Sequence, residues 1–212
     1  MLRISTTLLE NWRLFQDTEW FTEKKLEDAI KDIVKPSPAM QLGRAFHSLI
    51  EKPQLNLDGG YERFGFRFDP RVIDGVRELL PPGGVFETKV AKVMGRTEEG
   101  DELVLVAKAD YVSGLHVCEF KTTDKGFDAE KYEASLQWRA YLSLYEASQV
   151  TYIVSRLEEE DGVIYARELS EMSLYRYPDM ELDIQEQVRG LVQFLRSRKL
   201  DAYLRKEEVR AL

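Results

Sequence analysis

The chain has 212 residues, 43% of them hydrophobic and 32% charged, a composition that fits one globular domain and excludes an extended disordered polymer. Its net charge of −8, from 38 acidic against 30 basic side chains, argues against a protein that coats nucleic acid through a global positive field, though not against a local basic groove around acidic ligands. One cysteine, Cys118, excludes an internal disulfide and a cysteine-ligated cluster, and no apolar run has the length of a bilayer span.

The first residues, "MLRISTTLLENWRLF", carry an early acid and no small-residue cleavage pattern, so a cytoplasmic protein without a membrane partner is expected. Thr7 and Glu10 fit a capping box opening a helix through about Gln16. Leu26, Ile30, Ile33 and Val34 recur at helical spacing until "KPSP" (35–38) ends the run. A third helix, "AMQLGRAFHSLIEK", has Leu42, Phe46, Leu49 and Ile50 as its apolar stripe. Phe64, Phe66 and Phe68 alternate as in a short edge strand, and Asp69-Pro70 reads as the cap and first position of another helix.

After "PPGG" (81–84) the period changes to 2. Strands are expected near 85–94, 103–112 and 115–122, a helix over 128–145, strands near 149–156 and 163–169, and a closing amphipathic helix over 179–199. The expected architecture is a single 1–212 domain of mixed α/β (α+β) class. It has a mainly helical 1–80 part, a largely antiparallel sheet core over 85–170 and a C-terminal helix.

The stretch "VCEFKTT" (117–123) places Glu119 and Lys121 on one face of a strand, with Val117, while His116, Cys118 and Phe120 point to the other face. As a surface ion pair this would be ordinary, contributing roughly 0–1 kcal/mol. Glu87-Thr88-Lys89 repeats the pattern, but only the later copy follows an acid, Asp110, on a strand expected to pair with its own. Two converging carboxylates repel unless a cation joins them, and hard oxygen ligands suit Mg²⁺ or Mn²⁺. Gln137 and Tyr141, four apart, share a face of the following helix, with Tyr145 one turn on. His47 shares a stripe with Gly43 and Glu51; such a histidine alone is more often a hydrogen-bonded core residue than a ligand.

Taken in order, "ISTTLLENW", Gly43…His47…Glu51, Glu87, Asp110, Glu119-x-Lys121 and Gln137-x-x-x-Tyr141 resemble the RecB-like, lambda-exonuclease-like clade of the PD-(D/E)XK nucleases, over residues 4 to about 145. The resemblance implies a restriction-endonuclease-like core, a central mixed β-sheet flanked by helices. It implies Mg²⁺ or Mn²⁺ held by His47, Asp110, Glu119 and the Phe120 carbonyl, with Glu87 toward a second metal or its water. It implies Lys121 at the phosphate, and Gln137 and Tyr141 lining the site and touching DNA. Lys125 and Arg139 are added as phosphate contacts, and Lys89, Lys92, Lys108 and Lys131 as weaker ones. One cysteine departs from relatives that carry an iron–sulfur cluster, and no helicase motif is present, so a stand-alone phage-type enzyme is expected. The expected function is hydrolysis of DNA in recombination, repair or phage DNA processing, as an exonuclease before an endonuclease, with a recombination protein or a second copy as partner. The rival from another class is a catalytically silent nucleic-acid- or protein-binding module that keeps the fold.

Overall fold

The computed structural model describes residues 1–56 and 59–205; residues 57–58 and 206–212 of the expected 1–212 domain lie outside the described residues. In chain order the elements are β1 (Leu2–Ser5), α1 (Thr6–Asp17), α2 (Glu23–Ile30), α3 (Pro38–Glu51), β2 (Tyr61–Arg63), β3 (Phe66–Phe68) and α4 (Pro70–Glu78). They continue with β4 (Val85–Arg96), β5 (Glu102–Ser113), β6 (His116–Thr123), α5 (Ala129–Ala134), α6 (Leu136–Leu144), β7 (Gln149–Glu160), β8 (Val163–Tyr175) and α7 (Met180–Ser197), closed by a 3-10 turn, Asp201–Leu204.

All eight strands form one sheet in the order β1-β5-β6-β7-β8-β3-β2, with β4 on the other edge of β5. It is mixed, as the resemblance implies, and not the largely antiparallel sheet expected from the period of 2: β1–β5, β6–β7 and β3–β8 run parallel. Helices cover both faces and divide the core. On one side Leu9 and Trp12 of α1, Leu142 of α6 and Val188 and Leu191 of α7 pack on Ile4, Leu105, Val117 and Tyr152. On the other, Phe46, Leu49 and Ile50 of α3 and Ile73 and Val76 of α4 pack on Phe68, Cys118, Phe120 and Ile153. Val117 and Cys118 thus face opposite cores, as the period of 2 requires. Among the described residues no helix is long and apolar enough to cross a membrane.

Several boundaries differ from expectation, each for a local reason. Ser5, not Thr7, caps α1, its hydroxyl accepting from Leu8 N at 3.1 Å. The expected partner of Thr7, Glu10, accepts instead from the Ser135 hydroxyl (3.0 Å) and from Leu136 N (2.8 Å), 126 residues on. That contact belongs to a break in the expected 128–145 helix. Ser135 is extended, its hydroxyl accepts from Gln137 N, and a new helix starts behind it. α2 stops at Ile30, and Ile33 and Val34 are 58% and 50% exposed rather than the end of an apolar stripe. The Phe64/Phe66/Phe68 alternation covers only β3: Phe64 is in the turn between β2 and β3, at φ 53°. β7 and β8 run past their expected ends, to 160 and 175, the Asp161-Gly162 turn taking positive φ at both residues and Arg167 pairing with Glu158 and Glu160.

Candidate active site

β4 pairs along nearly all of β5, so β1 and β6 must share the opposite edge. β1 takes Leu103–Val106 and β6 takes Tyr111–Ser113. Residues 107–110 lie between the two ladders, where the sheet forks, and this is where the candidate side chains meet. Asp110 is the last residue before the ladder to β6 begins, and its Oδ2 accepts from Phe120 N at 2.8 Å. A carboxylate oxygen thus stands in for the missing backbone acceptor and pins β5 to β6 across the fork. Its other oxygen, Oδ1, is 3.0 Å from His47 Nδ1, reaching in from α3.

On β6, Glu119 is 4% exposed and lies against α6. Lys121 Nζ donates to Glu119 Oε1 (2.8 Å) and to Gln137 Oε1 (2.9 Å). Gln137 Nε2 donates to the same Glu119 oxygen (3.0 Å) and to the Tyr141 hydroxyl (2.8 Å), which donates to the Lys108 carbonyl at 3.2 Å. The start of α6 at Ser135, tied to Glu10, therefore sets where Gln137 reaches.

Their different partners move the pKa values of the two carboxylates in opposite directions. Burial and the nearby Asp110 charge push the Glu119 pKa up, against the opposing pull of Lys121. Burial would raise that of Asp110 as well, but His47, Lys121 and the Phe120 N–H together hold it below the usual value. Burial works against a charged His47, and the Asp110 charge and hydrogen bond outweigh it, raising the imidazole above its ordinary range. Burial likewise opposes a charged Lys121, yet Glu119, Tyr152 and Asp110 raise it above an ordinary lysine, so it stands as an ammonium.

The residues fit a hard divalent cation with an open shell. Glu119 Oε2 is buried and has no hydrogen-bond partner, an uncompensated oxygen in a site that already holds a second carboxylate. Among the described residues no three His, Cys, Asp or Glu side chains group tightly enough to enclose an ion. Two carboxylates leave positions for water and substrate, as Mg²⁺ requires and a closed zinc site does not.

Two clefts open on this cluster. One, of about 710 Å³, is lined by Glu119, Gln137 and Tyr141 together with Arg3 and Lys89; the other, of about 820 Å³, by Asp110, His47, Glu87, Arg44 and Phe64. Thr7, Lys108 and Lys121 line both. Glu87 lies across from Asp110, between the pairs Phe86–Tyr111 and Thr88–Ala109, in a left-handed conformation (φ 56°) and ion-paired with Lys108.

Not every expected residue arrives. Lys125 is exposed and lines neither cleft. The Arg139 guanidinium lies over the rings of Trp138 and Tyr177, outside both clefts. Lys92 is held by Ser143 and Glu181, and Lys131 lies over the Tyr132 ring. Trp12 and Trp138 are buried, and Trp20 is exposed with Lys25 over its ring.

Tyr145, one turn beyond Tyr141, does more than extend the stripe. Its hydroxyl accepts from Ala109 N (2.9 Å) and donates to the Thr88 carbonyl (2.5 Å), inserting into the β4–β5 ladder beside Asp110 and Glu87. Replacing it with phenylalanine leaves both backbone groups without that partner. Tyr145→Phe should lower stability by about 1–3 kcal/mol, read as a shift of the urea midpoint at unchanged slope.

No protein-family model matches the chain, and no curated protein sequence matches it. Solved structures do. The crystal structure of SSO0001 superposes with a TM-score of 0.54 at 16% identity, covering 93% of this chain and 78% of that one. LHK-Exo in complex with dAMP, an alkaline exonuclease from Laribacter hongkongensis, superposes at 0.52 and 10% identity, covering 95% and 90%. At such identities the likeness is one of fold: a central mixed sheet flanked by helices, shared over nearly the whole chain.

Proposed function

We propose that this chain is a metal-dependent deoxyribonuclease of the PD-(D/E)XK, lambda-exonuclease-like type, hydrolysing phosphodiester bonds from a DNA end. The observation that carries the reading is the buried, unpartnered Glu119 Oε2 at the fork of the sheet, where Glu119 lines one cleft, Asp110 the other and Lys121 both. The exonuclease named among the fold neighbours, with its bound dAMP, favours removal of nucleotides at an end over internal cutting. DNA processing in recombination, repair or phage replication is the setting such an activity serves, with a recombination protein or further copies of the chain as its partners.

Asp110, Glu119 and the Phe120 carbonyl would hold Mg²⁺ or Mn²⁺, and the resemblance adds His47 and Glu87 as donors that would have to close in on the bound ion. Bound there, the ion would supply Lewis acidity toward the scissile phosphate and its attacking water. The chain's own groups do the rest. His47 Nδ1 and the Phe120 N–H fix the Asp110 carboxylate between them. Gln137, braced by Tyr141, holds both Glu119 and Lys121 in place. Lys121 presents an ammonium where negative charge grows on the phosphate, preorganised by its two hydrogen bonds. Lys108 and Lys89, with Arg3 and Arg44, furnish positive charge along the clefts of an otherwise acidic molecule.

End-labelled linear DNA and closed circular DNA, incubated with Mg²⁺, Mn²⁺ or EDTA, test this. Release of labelled nucleotides from linear DNA only, abolished by EDTA, is the expected result. Cutting of the circle would make it an endonuclease, and binding without cleavage in every metal would make it a silent module.

A further inference from the structure

We propose that Phe64 is a nucleobase-stacking residue, a platform for an unpaired base of the strand whose phosphate lies at Asp110 and Lys121. The inference rests on the nuclease reading and adds to it a substrate with an unpaired base beside the site.

The β2–β3 hairpin turns through two residues, Phe64 and Gly65, at φ 53° and 81°. Two-residue turns with positive φ at both positions take Asn, Asp or Gly first, and glycine second. Gly65 obeys that rule. Phe64 does not: a bulky aromatic in left-handed backbone is an outlier that the turn itself does not require.

Nor does the core require it. The other aromatics of the hairpin are put to structural use: Tyr61 and Phe68 are buried against α3 and α4, and Phe66 is partly buried with them. Phe64 is 68% exposed, the most exposed large apolar side chain among the described residues. A strained backbone and an exposed ring are both unfavourable, and neither is offset by packing.

Its position supplies the missing reason. Phe64 lines the cleft of about 820 Å³ together with Asp110, His47, Lys108 and Lys121, and also the adjoining hollow of about 420 Å³ with Leu55 and Asn56. The hairpin is fixed there from both sides. Arg63 Nε donates to the Ser48 hydroxyl (3.0 Å), next to His47 on α3, and the Tyr61 hydroxyl donates to Asp74 (2.8 Å) on α4. The Arg63 guanidinium lies 5.9 Å from the Phe64 ring centre, and Arg44 lines the same cleft. An exposed ring on a rigid mount, with cations beside it and a phosphate-directed site at the other end of the cleft, matches the chemistry of a single strand: a π-face for the base and positive charge for the backbone. A paired duplex base offers no free face to such a ring except at an end.

Phe64→Asn suits the turn and should leave the fold intact or more stable, and Phe64→Trp keeps an aromatic surface. Steady-state hydrolysis of single-stranded DNA in Mn²⁺ is compared among the wild type and both variants. Binding of a 2-aminopurine oligonucleotide, whose fluorescence is quenched on stacking, is measured separately in a Glu119→Gln background. The expected result for Phe64→Asn is a KM raised about tenfold with kcat nearly unchanged, loss of the binding-induced quench and an unchanged or higher Tm; Phe64→Trp restores KM and quench. Equal KM in the wild type and Phe64→Asn, together with an equal quench with and without Phe64→Asn in the Glu119→Gln background, would overturn the proposal even if hydrolysis is robust. If the wild type does not cleave, the nuclease reading fails, and the binding arm still decides for or against Phe64.

Discussion

Lys121→Met, measured without metal, should cost about 3–5 kcal/mol of stability, because it removes one partner of a buried charge pair and strands the other. Glu119 would keep its carboxylate in a buried site beside Asp110 with only Gln137 donating to Oε1, and Gln137 Oε1 would lose its ammonium donor. Adding Glu119→Gln to the same chain removes the stranded charge. The double variant should therefore return to within about 1 kcal/mol of the wild type, since a buried pair and a neutral replacement are often near parity. Urea midpoints of the four proteins form a double-mutant cycle, and a large coupling is expected. Simple additivity would mean that the two side chains do not depend on each other. The same Lys121→Met protein should lose about 10²–10³-fold in hydrolysis even where it remains folded.

Glu119→Gln alone should separate stability from function. The substitution keeps the size and one acceptor oxygen for Lys121 and Gln137 while removing the charge that burial and Asp110 disfavour; Lys121, 29% exposed, also keeps Gln137 as acceptor, so the metal-free protein should lose no more than about 1 kcal/mol. Hydrolysis should fall by about 10³-fold. A thermal scan in Mn²⁺ gives the independent readout. An ion present at a hundred times its dissociation constant stabilises the wild type by about 2.7 kcal/mol, a rise in Tm of roughly 5–10 °C for a chain of this length. Glu119→Gln should show little of it. An equal rise in both proteins would place the cation elsewhere.

The side chains of the candidate site were legible because each obeys a short period. Glu119 and Lys121 follow the alternation of a strand, and Gln137 and Tyr141 follow the turn of a helix. His47 and Asp110, 63 residues apart, meet as the ordered motif set implied, although nothing local to either residue requires it. What brings them together was not legible. The fork depends on β1 pairing in parallel with β5 across a hundred residues, and four residues of "LRIS" carry no signal of that partner. The split at Ser135 depends on Glu10, which by its spacing alone reads as the second half of a capping box. Helical periodicity carries through a serine unless a tertiary acceptor makes the alternative cap better, and such an acceptor is remote in sequence. Tyr145, expected only one turn on from Tyr141, acts on the sheet backbone; Phe64, expected in a strand, is in a turn. Arg139 and Lys125, chosen only for charge near the later helix, end outside the clefts, because charge without a geometric constraint has no preferred direction.

The most direct test of the metal site is the release of labelled nucleotides from linear DNA in Mn²⁺ by the wild type and by Glu119→Gln, at matched concentrations of folded protein. The expected result is rapid, EDTA-sensitive release by the wild type and about 10³-fold slower release by the variant. Equal release by the two proteins would contradict a role for Glu119, and with it the assignment of the sheet fork as the place where DNA is cut.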